Sequence, residues 1–162
     1  SYPLIDDGGF TTWIASRMTE WYAQYQNRSS NSQATVDARW IDFASAWVDV
    51  FMLEDGMVSG LITSTDPGSG LYNRETFTYD LDAERIIEIE ELTKKGVDLE
   101  EFLQGKLSVS DAADYQYPVL AGPGFVMCTG FDAIRGDSLH LVPYVAVEEV
   151  LRKRSVFTKL AD

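Results

Sequence analysis

Phe10, Trp13, Ile14, Met18, Trp21, Tyr22 and Tyr25 recur at three- and four-residue spacings. That period predicts an amphipathic helix over roughly 10–28, its aromatic stripe packed on a core. Asp6, Asp7 and Thr11 are the candidates for its N-terminal oxygen cap. The Ser/Asn-rich stretch from Asn27 to Gln33 reads as a polar link, and its Asn27-Arg28-Ser29 triplet satisfies a glycosylation sequon, which marks a surface loop.

From Val36 to Thr65 the period changes to two. Trp47, Asp49, Phe51 and Leu53 alternate with Val48, Val50 and Met52, and Glu54-Asp55-Gly56 predicts a hairpin turn that returns the chain as Met57–Thr63. Apolar residues on both faces of the first strand predict a central position, covered on both sides. A third strand is expected over about 74–81, leaving through the polar turn Asp80-Leu81-Asp82-Ala83-Glu84. Glu88–Thr93 and Asp98–Gln104 predict two short helices separated by Gly96, the second opened by Asp98 with Glu101 completing a capping box. Ser108–Tyr117 reads as a connector with a helical turn at Asp111-Ala112-Ala113, closed by Pro118, Gly122, Pro123 and Gly124 before a strand at 125–129. Asp132–Asp137 reads as a turn, Leu139–Val142 as the last strand, and Val145–Lys153 as a closing helix with its basic residues at the favourable C-terminal end. The expected fold class is α+β: a mainly antiparallel sheet with an N-terminal helix, short middle helices and a C-terminal helix packed on it. One domain over 1–162 is expected, the helix and hairpin in 1–65 and the strand–helix part in 66–162.

The 162 residues, 45% of them apolar and 12% aromatic, suffice for a core of that size. The formal charge of −13, from 26 acidic and 13 basic residues, excludes sequence-independent nucleic-acid binding, which needs a basic footprint, and disfavours an anionic membrane surface. It steers cationic partners towards the protein. No apolar run reaches the roughly 20 residues of a membrane span, so no membrane insertion by this segment is expected. The abrupt opening at Ser1-Tyr2-Pro3 reads as a trimmed start, which leaves an upstream export signal or anchor open.

Few residues here suit chemistry. Cys128 is the only cysteine, so no intrachain disulfide is possible, and within Phe125-Val126-Met127-Cys128 it reads as a small buried hydrophobe. His140, the only histidine, alternates with Leu139 and Leu141 and reads as a surface strand residue, since a general base needs partners in reach. One His and one Cys make no usual zinc set. Glu88, Glu90, Glu91, Glu100 and Glu101 are dense enough to suggest a paired-carboxylate glycosidase, but runs of this kind read as a solvated face. Asp80, Asp82 and Glu84 resemble a fragment of a calcium loop whose Gly and terminal Glu are misplaced. Asp66-Pro67-Gly68-Ser69-Gly70 lacks the Gly-Lys-Ser/Thr ending of a phosphate loop. Neither cofactor, metal nor catalytic set is predicted.

The order of motifs carries more. Tyr2-Pro3-Leu4-Ile5, the hairpin around Glu54-Asp55-Gly56, Tyr79-Asp80-Leu81-Asp82 and Ile89-Glu90-Glu91-Leu92 are followed by Gly124-Phe125-Val126, Phe131–Gly136 and Leu141-Val142-Pro143-Tyr144. Over roughly 2–155 this resembles the bacterial extracytoplasmic family DUF3298 with its companion region DUF4163, as in RsiV-type anti-sigma factor ectodomains and the accessory domains of peptidoglycan deacetylases. The resemblance implies an extracellular or cell-surface α+β domain of a bacterium, anchored or secreted, without enzymatic activity. It implies a sensor or recognition role towards a cationic protein such as lysozyme, or towards a cell-wall glycan. Tyr72, Asn73, Arg74, Asp132 and Arg135 are then the expected ligand contacts, since exposed aromatic and Arg side chains dominate binding energy. The chain departs from the family at Pro67–Asn73 and at Asp132–Gly136, and the Gly-rich loop 66–70 is where its own function is expected. Two other readings stand beside this one: a domain of an enzyme that modifies cell-wall polysaccharide, and a structural spacer of a surface protein.

Overall fold

Asp7 starts the long helix. Its carboxylate accepts the Phe10 N–H at 2.7 Å, which satisfies one free donor of the first turn, and its carbonyl accepts the Thr11 N–H at 3.0 Å as the first bond of the helix. The computed structural model describes residues 7–31, 45–65, 72–130 and 138–152. Helix α1 spans Gly8–Asn31, so Asn27–Asn31 of the stretch expected to be a polar link is still helical, and the sequon lies on the last turns of a helix rather than in a loop. Phe10 and Ile14 are buried, and the Phe10 ring meets Phe77 at 5.9 Å and Tyr79 edge-on at 5.4 Å. The stripe is core packing at Phe10, Trp13, Ile14 and Met18, while Tyr22 further along is exposed.

That core belongs to sheet 1, whose antiparallel order is β1 (Ala46–Glu54), β2 (Met57–Thr65), β3 (Tyr72–Asp80) and β4 (Arg85–Ile86). Asp55 and Gly56, at φ 51° and 75°, form the two-residue hairpin turn between Glu54 and Met57. A turn with both central residues left-handed matches the twist of the strands it joins, which is why Asp-Gly was a dependable signal. The central, doubly covered strand is β2 rather than β1. Along β2, Val58 and Ile62 pack with α1, while Leu61 packs with Val119 and Cys128 of the second sheet. β1 is an edge strand that leaves Leu53 56% exposed. Its two apolar faces come from a bulge between Val50 and Met52, which shifts the register opposite Gly60. A Cβ on Gly60 would stand 2.2 Å from the Asp49 carbonyl and 2.8 Å from the Phe77 ring, so the close approach of β1 requires glycine there.

Sheet 2 comprises β5 (Tyr115–Ala121), β6 (Gly124–Thr129) and β7 (Leu139–Pro143). The expectation of a connector ending near Pro118 is corrected: after a 3₁₀ turn at Ala112–Asp114 the chain is already a strand. Pro118 disguised it, and proline is tolerated because β5 is an edge. One face of β6 carries Val126 and Cys128 towards Leu61, and the other places Phe125 and Met127 in a cluster with Leu99 and Leu103 of α3 (Leu99–Gln104). The short helix α2 (Ile89–Leu92) precedes α3.

The predicted C-terminal helix is absent from the described part of Val145–Lys153. A 3₁₀ turn at Tyr144–Ala146 is followed by tight turns with bonds from Val147 N–H to Tyr144 and from Val150 N–H to Val147. Leu151 then bridges to Thr93, and Arg152 N–H reaches the Leu92 carbonyl at 3.1 Å. Val147, Val150 and Leu151 are buried at helical spacing, but this end of the chain is anchored by pairing to the exit of α2. The predicted α+β class holds, with two antiparallel sheets rather than one, an N-terminal helix and a few short helices.

Candidate binding groove

All nine residues of β3 pair with β2, but its outer side is partnered by β4 only at Tyr79 and Asp80, plus one bond from the Ile87 N–H to the Thr78 carbonyl at 2.8 Å. The chain then turns through Glu88 into α2, leaving the next stretch of the β3 edge without a described strand beside it. The polar turn before β4 is shaped as the Asp/Asp spacing suggested, with Asp80 Oδ1 accepting the N–H groups of Asp82 and Ala83 at 3.0 and 2.9 Å.

Between this edge of β3 and the edge of β5 lies a groove of about 630 Å³, within the size range of ligand pockets. Phe77, Ile87, Leu92, Leu99, Leu120 and Phe125 line it and are buried. Thr76 and Thr78 of β3 and Pro118 of β5 contribute its sides. Four carboxylates contribute to the lining, Glu88 and Glu90 at the start of α2 and Asp98 and Glu100 at the start of α3, and among the described residues no Lys or Arg lines it.

Local capping brings these acids together. The Glu91 carboxylate accepts the Glu88 N–H at 3.0 Å at the start of α2, and Asp98 Oδ1 accepts the Glu101 N–H at 3.0 Å at the start of α3. Gly96, at φ 83°, turns the chain between the two helices so that both starts face one groove. None of Glu88, Glu90, Asp98 and Glu100 is ion-paired with another described residue. Desolvation pushes the Glu100 carboxyl above its ordinary value, and the Asp98 charge adds to the shift.

The architecture is similar to that of a solved DUF3298-family protein from Bacteroides fragilis, with a TM-score of 0.51 at 12% identity over 92% of this chain and 72% of that one. The chain has a DUF3298-type fold. A second DUF3298-family structure, from Pseudomonas aeruginosa PAO1, matches with a TM-score of 0.49 at 15% identity over 82% of this chain and 77% of that chain. No family model and no curated protein matches the sequence.

Within this DUF3298-type fold, the described contact residues expected from the sequence, Tyr72, Asn73 and Arg74, lie away from the groove. Tyr72 and Arg74 sit at the opposite end of β3, where Tyr72 meets the Trp47 ring edge-on at 5.5 Å and Arg74 Nη1 donates to the Thr129 carbonyl at 2.6 Å, tying the two sheets together. Asn73 lines a separate recess of about 190 Å³ beside α1, with Arg17, Trp21 and Glu75. Asp132, Arg135 and the Gly-rich loop 66–70 lie outside the described residues. His140 is half-buried on β7 opposite Met127, with its ring edge-on to Tyr115 at 6.1 Å and no hydrogen bond to another described residue. Among the described residues no group of three or more His, Cys, Asp or Glu is placed to hold a metal ion. No helix among them is long and apolar enough to cross a membrane.

Of the groove carboxylates, Glu88, Glu90 and Glu100 were visible in the sequence as part of a charge run and read as a solvated face, and Asp98 was read as a helix cap. Glu88 and Glu90 flank the apolar Ile87 and Ile89, and Asp98 and Glu100 flank Leu99. That alternation of acid and buried hydrophobe was the available signal.

Proposed function

We propose that this chain is a non-enzymatic recognition or sensor domain of the DUF3298 family, acting outside the bacterial membrane and binding a cationic protein through the groove between β3 and β5. The observation that carries this reading is the combination of an apolar lining with four carboxylates and no cation among the described lining residues. Bare acidity would confer solubility alone, whereas acidity around a concave surface to which the half-buried Ile89, Val97 and Pro118 contribute offers a basic partner both charge pairing and apolar contact. The net charge of −13 adds long-range attraction to any partner of opposite sign. Lysozyme, strongly cationic and the ligand implied by the RsiV-type resemblance, is the first partner to test.

Calorimetric titration with lysozyme, with purified peptidoglycan in parallel, tests this. The expected result is lysozyme binding that weakens steeply as ionic strength rises from about 0.01 to about 1 M, where the screening length falls from about 30 to about 3 Å. Absence of lysozyme binding at the low-salt end would overturn the lysozyme assignment, and salt-insensitive binding to peptidoglycan alone would replace the protein ligand with a glycan.

A further inference from the structure

We propose that the partner enters the groove as an extended basic segment that adds a strand to the outer edge of β3 at Thr76. This rests on the reading of the groove as a site for a cationic protein, and it specifies how that protein is held.

In an antiparallel pair, successive residues turn their backbone groups alternately towards and away from the partner strand. Thr78 turns its carbonyl away from β2, since it accepts the Ile87 N–H on the outer side. Thr76, two residues earlier and in unbroken register opposite Leu61, therefore turns both its N–H and its C=O outward. No described residue bonds to either group, and Thr76 lines the groove. An unpaired donor and acceptor on a sheet edge form a template for a further strand. The opposite wall offers less, because β5 presents Pro118, which has no N–H to give.

The lining specifies the side chains. A strand points successive residues to opposite faces. One face of an inserted segment would meet the half-buried apolar lining, Ile89, Val97 and Pro118 among it, and the other would stand among Glu88, Glu90 and Glu100. The matching occupant alternates Lys or Arg with aliphatic residues. Backbone pairing at Thr76 supplies register-independent affinity, and the alternation supplies selectivity.

The test uses an eight-residue peptide alternating Lys and Val, and two analogues N-methylated on the Lys residues or on the Val residues. N-methylation removes the donors along one edge of a strand and leaves the other edge intact. The expected result is that one analogue binds at least about tenfold more weakly than the parent while the other binds within about threefold of it, as loss of one or two net hydrogen bonds requires. On the protein side, Thr76→Pro removes the outward N–H without touching the β2 ladder, at an edge where proline is tolerated, and is expected to weaken the parent peptide with the thermal midpoint retained. Equal binding of parent and both analogues, or equal losses in both, would overturn strand addition. If the parent peptide still bound in those cases and lost affinity in the combined Glu88→Gln, Glu90→Gln, Glu100→Gln variant, the groove would stand as the cationic site without strand addition. Parent binding unchanged in that variant would overturn the groove itself.

Discussion

Arg85 holds Glu91 with both terminal guanidinium nitrogens, at 2.8 and 2.9 Å, and the same carboxylate accepts the Glu88 N–H at 3.0 Å. The pair has two effects on the groove. It fixes the start of α2, and so the positions of Glu88 and Glu90, and it engages the cation nearest Glu88 in sequence with a carboxylate outside the lining. Acidity at the groove is thus kept by pairing one acid and leaving its neighbours unpaired.

The pair makes a pH prediction. The hydrogen bond from Arg85, with that from the Glu88 backbone, lowers the Glu91 carboxyl to about 2. A carboxyl lowered on folding contributes stability that is fully present above its unfolded value of about 4.3 and is lost as pH falls towards the folded value. Both partners are about half exposed, so the effect is modest. Urea midpoints of the wild type and Glu91→Gln should coincide near pH 2 and separate, with the wild type higher, by about pH 5. A constant separation across that range would contradict the assignment.

Gly60→Ala should be costly. The new methyl group meets the Asp49 carbonyl across the β1 bulge and the Phe77 ring beneath α1 at the same time, so no single side-chain rotation relieves it. A loss of about 2 kcal/mol or more is expected from urea denaturation, towards the upper end of overpacking costs. A loss below about 0.5 kcal/mol, the range of ordinary surface changes, would mean that β1 does not approach β2 as described.

Cys128 is fully buried between the sheets, in a cluster with Leu61 and Val119. Its thiol should resist Ellman's reagent in native buffer and react as the sheets separate in denaturant, so that labelling follows the unfolding curve. Prompt stoichiometric labelling of the native protein would show that the inter-sheet layer is open.

What the chain revealed before folding depended on how local each signal was. α1, the Asp55-Gly56 hairpin, β3 and both short helices were legible because a cap, a left-handed pair or a period within a few residues decides each of them. Three features were not. β5 was hidden by Pro118, whose cost vanishes only because sheet order makes this strand an edge. The centre of sheet 1 was misplaced because a bulge gave β1 two apolar faces, while Ser59, Gly60 and Thr63 gave the buried β2 a mixed composition. Val147, Val150 and Leu151 imitate a helix, yet their order comes from pairing with Thr93, far away in sequence. The groove was illegible for the same reason: Thr76, Glu88, Glu100 and Pro118 converge only through the crossing of the two sheets.

The most direct measurement of the central claim is the affinity for lysozyme of the combined Glu88→Gln, Glu90→Gln, Glu100→Gln variant. The control is a variant with an equal charge change at Asp55, Asp114 and Glu148, none of which lines the groove. The account predicts that the groove variant loses at least about tenfold in affinity at low salt while the control loses less than about threefold, because short-range pairing exceeds the effect of net charge alone. Equal losses in both variants, or none in either, would contradict it.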